Sequence, residues 1–159
     1  MTNTSEFWRT DPATLHDVVL NRKALESALS NGCTPLERVR FLALLNRETE
    51  ALQVGFQVLA ESGHRRQSLL VVAQVYQRQY RWHEAARLQE EALQLASTWV
   101  EEADVRHHIG RRLFDEARYR DAANEFQWAS DLYRVSGQHQ LSEQSTRAMR
   151  RSREVHARQ

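Results

Sequence analysis

A chain of 159 residues is long enough to bury one core of useful size, and 5 glycines with 2 prolines leave little material for the turns of a many-stranded sheet. No apolar run approaches the ~20 residues of a membrane span, the start lacks a basic-then-apolar leader, and the lone Cys33 rules out an internal disulfide, so cytoplasm is the default expectation. The net charge is only +1, but 21 of the 22 basic residues are arginine. That bias follows from GC-rich coding, or else from a need for planar, bidentate contacts to carboxylate or phosphate.

In chain order, residues 1–10 are expected to fray, with Phe7 and Trp8 apolar enough to tuck against the first helix. Asp11-Pro12 reads as a cap followed by proline at the first helical position. Leu15, Val18, Val19, Leu25, Ala28 and Leu29 then carry a helical segment from residue 12 to Ser30, closed by Asn31-Gly32. The phase slips at Asn21-Arg22-Lys23, which leaves one helix or two. Thr34-Pro35-Leu36-Glu37 is a capping box and predicts a helix over about 35–46, followed by another over 48–62 closed by Gly63.

The stretch Leu69–Ala96 predicts two amphipathic helices, 66–79 and 82–96. Leu69, Val72, Ala73 and Tyr76 form one stripe, and Ala85, Leu88, Ala92 and Leu95 form the other. The short polar link Gln79–His83 forces the two antiparallel. Ala73, Ala85 and Ala92 are small enough to let the axes approach toward the short end of the ~8–10 Å range for packed helices. A second capping box, Thr98-Trp99-Val100-Glu101, starts a helix over about 99–116. Another follows over 119–135, then Gly137, then a last helix across Gln140–Arg158 carrying Leu141, Ala148, Met149 and Val155. No linker divides residues 1–159, so the reading is one all-α domain of about eight helices.

The acid-alanine pairs Glu50-Ala51, Glu84-Ala85 and Asp121-Ala122 recur 34 and then 37 residues apart, and a period near 34 marks a helical array. Leu69, Val72, Ala73, Tyr76, Ala85 and Ala92 return as Ile109, Gly110, Leu113, Ala122, Phe126 and Ala129. On these residues the stretch 35–135 resembles the tetratricopeptide repeat (TPR) family. Gln89 stands where that family has an aromatic, and the first repeat is degenerate, with Gly55 and Val58 at the aromatic and alanine places. The resemblance implies a right-handed TPR-like solenoid of antiparallel helix pairs. Its repeats would be 35–63, 64–98 and 99–137, after an N-terminal helical segment (1–34) and before a capping helix (138–159). The three additional residues of the second interval are expected in the long helix 99–116.

Little in the sequence points to catalysis. His107 and His108 are adjacent, so on a helix they diverge by about 100° and cannot share a metal as i, i+4 ligands do. Cys33 has no local base, and no glycine-rich phosphate loop is present. Pairs such as Glu90-Glu91 and Glu101-Glu102 read as solvated surface. The expectation is therefore no enzyme, no metal and no cofactor.

What the resemblance does imply is a binding groove on the inner face of the first helix of each repeat. Register transfer places Arg40, Gln67, Leu70, Gln74, Gln77, Arg78, His107, Arg111 and Phe114 there, with Asp104 and Asp115 at the edges. These groups suit a peptide or protein partner, acidic where the arginines meet it. The plain alternative is an unpacked helix face that is polar for solubility alone. TPR domains that clamp a chaperone's C-terminal carboxylate carry lysines and asparagines where this chain has Leu36, Arg40, Gln74, Asp104 and His108, so that activity is not supported. Arg147, Arg150, Arg151, Arg153 and Arg158 make the last helix basic, but no aromatic interleaves with them, which makes nucleic acid an unlikely partner. Three functions follow: a scaffold binding a partner in its groove, a dedicated chaperone similar to the small bacterial ones serving type III secretion translocators, or a homo-oligomer anchored by Trp99, Trp128 or Phe7-Trp8. None calls for a membrane.

Overall fold

The acid-alanine pairs turn out to be the joints of a helix array. The computed structural model describes residues 7–61 and 63–159, within which a short hairpin precedes eight α-helices. The hairpin strands are β1 (Trp8–Thr10) and β2 (Asp17–Val19). The helices are α1 (Arg22–Ser30), α2 (Pro35–Leu44), α3 (Glu48–Glu61), α4 (Arg65–Arg78), α5 (Trp82–Leu95), α6 (Trp99–Asp115), α7 (Tyr119–Val135) and α8 (His139–Ala157).

Each helix packs on the next, and α4 also touches α2 and α6, so α2, α4 and α6 stand side by side. Both capping boxes form. Thr34 Oγ1 accepts from Glu37 N at 3.1 Å and Thr98 Oγ1 from Glu101 N at 3.1 Å, and each glutamate returns the bond to the cap. The extra three residues of the second interval lie in α6, which has 17 residues against 14 in α4.

The turns repeat the same chemistry. Asn46, Tyr80 and Ala117 sit at φ 61°, 59° and 61°, the left-handed conformation that lets a helix end fold back on itself. In each, the following arginine donates its backbone N–H five residues back: Arg47 to Leu42, Arg81 to Tyr76, Arg118 to Leu113, all at 2.9–3.0 Å. The same arginine then pairs through its side chain with the acid three residues on, in Arg47–Glu50, Arg81–Glu84 and Arg118–Asp121, at 2.7–2.9 Å. These pairs are exposed and stabilise little, but they hold the entry turn of the second helix in one register. The alanine after each acid, Ala51, Ala85 and Ala122, is completely buried where the paired helices touch.

Two contacts explain the repeat's irregularities. A Cβ placed on Gly110 would lie 2.7–3.0 Å from the Phe126 ring, so α6 and α7 meet glycine against aromatic. In the preceding pair the aromatic's place is taken by Gln89, which is fully buried. Its amide donates to the His108 carbonyl at 3.3 Å, and its oxygen accepts from Arg112 Nε at 2.7 Å. Arg112 in turn reaches Glu116 at 2.7 Å. A buried amide is tolerable only because both its ends are bonded.

The N-terminal segment departs from the expected helix. Only residues 22–30 are helical, and Trp8–Thr10 pairs antiparallel with Asp17–Val19 instead. Asp11 caps a turn rather than a helix, its carboxylate accepting from Ala13 N two residues on, at 2.8 Å. The β-branched Val18-Val19 then favours extended backbone. Asn21, where the phase slips, starts α1 by accepting from Ala24 N at 3.0 Å. Residues 7–10 are ordered rather than frayed, and the expectation for 1–6 lies outside the described residues. Phe7 and Trp8 are packed, but edge-on to Phe41 of α2, the second helix, at centroid distances of 6.2 and 6.1 Å.

Candidate functional site

The side-by-side helices α2, α4 and α6 share one face, and the hairpin lies across it. A pocket of about 280 Å³ opens beside the hairpin, lined by Arg40 from α2, Gln74, Gln77 and Arg78 from α4, and Arg111 and Asp115 from α6. His16 and Asp17 of the hairpin close its rim. A volume at the low end of ligand pockets has room for one or two side chains of a partner rather than for a large cofactor.

The polar groups around it are unequally satisfied. Gln77 Nε2 donates to Asp115 at 2.5 Å, and His16 Nε2 donates to the other oxygen of the same carboxylate at 2.6 Å. Arg78 donates to Asn46 at 2.9 Å and stands 3.9 Å from Glu48, while its Nε is buried without a hydrogen bond. Arg111 gives two N–H groups to the Leu15 carbonyl, at 3.0 and 3.2 Å, and pairs with Asp17 at 3.2 Å. Burial alone would raise the Asp17 carboxyl. The Arg111 charge, the Thr10 hydroxyl and the Arg40 charge outweigh burial and hold Asp17 below its ordinary range.

Arg40 and Gln74 are different. Among the described residues Arg40 has no ion-pair partner, only the Trp8 ring 5.9 Å from its guanidinium carbon, and Gln74 makes no side-chain hydrogen bond. Burial and the neighbouring Arg111 pull Arg40 below the usual arginine value, with Asp17 opposing them; a guanidinium there stays charged.

The face brings together five of the nine residues expected there: Arg40, Gln74, Gln77, Arg78 and Arg111. His107 sits one turn away in a second pocket of about 380 Å³, beneath Thr10, Pro12 and Leu15 of the hairpin and beside Arg147 and Ala148 of α8. Its Nδ1 lies 2.9 Å from Ser145 Oγ, and its ring packs on Phe126 at 5.1 Å. His108 donates Nδ1–H to the Asp104 carbonyl at 2.8 Å, which fixes its tautomer. Burial, then His108 and Arg111, lower His107 to about 3. Burial lowers His108 to about 4 against its bond to the Asp104 carbonyl, with Arg111 and Arg40 adding to the lowering.

Three expected residues lie elsewhere. Gln67 is exposed at the start of α4 and lines neither pocket. Leu70 is only 4% exposed because α4 is packed from both sides, by α2 and α3 and by α5 and α6, which leaves it no free apolar face. Phe114 is also core, edge-on to Tyr119 at 5.0 Å and clustered with Leu113 and Phe126. Of the edge acids, Asp115 is in the site, while Asp104 is occupied by the Tyr133 hydroxyl and stands 3.8 Å from Arg66.

Sequence reasoning missed Leu15, His16 and Asp17. The Asp-Pro turn before Val18-Val19 was a local sign of a hairpin, but nothing local ties Asp17 to Arg111, far along the chain. No protein-family model matches the chain, and neither a curated protein nor a solved structure matches it. Among the described residues, no three His, Cys, Asp or Glu side chains gather as a metal site requires, and no helix is long and apolar enough to cross a membrane.

Proposed function

We propose that the chain is a TPR-like array whose inner face binds a protein or peptide, with an acidic side chain of the partner entering the pocket beside Arg40. The observation that carries this reading is the pairing state of the pocket. Its other cations are committed to Asn46, Glu48, Leu15 and Asp17, whereas Arg40 and Gln74 face the cavity with no hydrogen bond or ion pair among the described residues. A half-buried guanidinium whose nearest carboxylate, Asp17, is already paired with Arg111 gains most from an incoming carboxylate. Gln74, one helix over, can donate to or accept from the partner's backbone as interface amides do. The side-by-side placement of α2, α4 and α6 and the shared turn chemistry of their hairpins support the repeat reading.

Arg40→Glu tests the proposal by affinity capture from the native cell. A partner retained by the parent chain is lost from the variant while far-UV circular dichroism stays the same; undiminished capture would place the binding surface elsewhere. Self-association through exposed aromatics is the second reading: Trp99 is 61% exposed at the start of α6, whereas Trp128, 49% exposed, already carries the Arg106 guanidinium 3.2 Å over its ring.

A further inference from the structure

The hairpin sits on the inner face as a ligand would. Its turn closes on two backbone bonds of 2.8 Å, Asp11 N to His16 O and Leu15 N to Asp11 O. This leaves Leu15 at φ 58°, the left-handed turn conformation also held by Asn46, Tyr80 and Ala117 and uncommon for a leucine. Around it stand α6 and α8. The Leu15 side chain is 6% exposed and clusters with Leu113, Phe114, Ala148 and Met149. The Leu15 carbonyl receives both Arg111 donors, and two residues on Asp17 meets the same guanidinium. Arg151 of α8 donates to the Ala13 carbonyl at 2.9 Å. The turn is thus held by a leucine, two carbonyls and a carboxylate, all read by side chains distant in sequence. Three residue pairs join β1 to β2, with Leu20 N and Asn21 N bonded to the Phe7 carbonyl and Thr10 to Asp17. The far end is anchored by Phe7 and Trp8 on Phe41; a two-stranded ribbon is marginal without such docking.

We propose that the α6–α8 end of the inner face is a recognition site for a turn-forming peptide segment bearing a leucine followed two residues later by an acid, which the chain's own Leu15 and Asp17 occupy until a partner with the same pattern displaces them. The inference rests on the inner face being the partner surface, and it adds both the partner's chemistry and a gate. The left-handed Leu15 makes the resident a poorer fit than its contacts alone suggest. A partner delivering the same leucine from a relaxed backbone replaces it at an advantage. Displacement also joins the two pockets, since His16 and Asp17 form the rim of the first and Leu15 lines the second.

The test uses the full chain and a fluorescein-labelled peptide of residues 7–20, read by anisotropy. Leu15→Ser with Asp17→Ser strips the tethered segment of its buried leucine and its carboxylate, leaving only its backbone bonds to Arg111 and Arg151. A tethered occupant competes at an effective concentration in the millimolar range, so the stripped chain binds the peptide at least about tenfold tighter than the parent does. A peptide carrying the same two serines binds neither. Equal binding of the native peptide by both chains would overturn the proposal.

Hydrogen exchange on the parent chain decides the matter should the variant fold poorly. The Leu15 and Leu20 amides, bonded to Asp11 and Phe7, exchange through an opening that leaves the α4 amides protected. Exchange of hairpin and α4 amides together would make the hairpin a fixed part of the core and refute displacement. Loss of partner capture at Arg40→Glu together with failed peptide exchange sinks only this inference. Peptide exchange together with undiminished capture sinks the pocket beside Arg40 as the partner's contact and leaves the α6–α8 end of the same face as the partner surface.

Discussion

Gly110→Ala puts the helix-pair contact under direct load. Alanine is the better helix former by about 0.8–1.0 kcal/mol, so an unpacked glycine in the middle of α6 would give a stabilised variant. The structure predicts the opposite. The new Cβ would meet Phe126 Cε1 at 2.7 Å, Cδ1 at 2.8 Å and Cζ at 3.0 Å, and three ring atoms at that distance cannot be escaped by one small rotation. Phe126 is fully buried, with His107 against its ring, so the ring has nowhere to go without moving α7. Overpacking of this kind costs about 1–3 kcal/mol, and after the propensity gain the net loss is ~0–2 kcal/mol. Two companions calibrate it. Gly63→Ala has nothing within 4 Å of its Cβ and is expected to be close to neutral. Phe126→Leu is expected to rescue Gly110→Ala, so that the double variant loses less than the sum of the singles. Urea unfolding followed by circular dichroism at 222 nm reads the four variants against the parent. Stabilisation of Gly110→Ala by the full propensity difference, without coupling to residue 126, would refute the close approach of α6 to α7.

Two other perturbations probe the buried polar groups. His107 and His108 stay neutral in the folded chain down to about pH 3 and 4, whereas the unfolded chain takes up protons near 6.5. Their contribution is therefore intact above pH 6.5 and shrinks as pH falls toward 4, by up to about 1.4 kcal/mol per pH unit for each histidine. Unfolding free energies across that range should flatten by roughly half in His107→Gln, and an unchanged slope would mean that the native state already binds those protons. Gln89→Leu strips Arg112 Nε of its buried acceptor and should cost about 1–3 kcal/mol by the same unfolding assay, whereas a loss below experimental error would show that water or Glu116 satisfies the guanidinium alone.

The helices were legible because each rests on local signals that no distant contact overrides. The boxes at Thr34 and Thr98 start α2 and α6 where their hydroxyls point, and Ala85, Leu88 and Ala92 are buried on α5 as their spacing predicts. Leu95, expected on the same stripe, is 45% exposed at the end of the helix, and α4 is buried beyond its predicted stripe. The acid of each acid-alanine pair marked the register, but its partner was invisible: the arginine three residues earlier matters only once the left-handed turn places it. The N-terminal segment misled because Asp-Pro serves a helix cap and a turn equally well, and the decision is made by Leu15 docking on α6 and α8. Leu70 misled for another reason. Register transfer assumes a helix with one free face, and α4, packed from both sides, has little of one. The arginine-rich last helix reads differently too, since Arg151 is turned inward to the hairpin and Arg147 lines the pocket below it.

Position-specific photo-crosslinking tests the inner face most directly. A crosslinking amino acid placed at Gln74, inside the pocket, is compared with one at Arg87, exposed on α5. If the inner face is the docking surface, Gln74 captures a partner in the native cell, Arg40→Glu removes that product, and Arg87 captures none. A partner captured from Arg87 and never from Gln74 would contradict it.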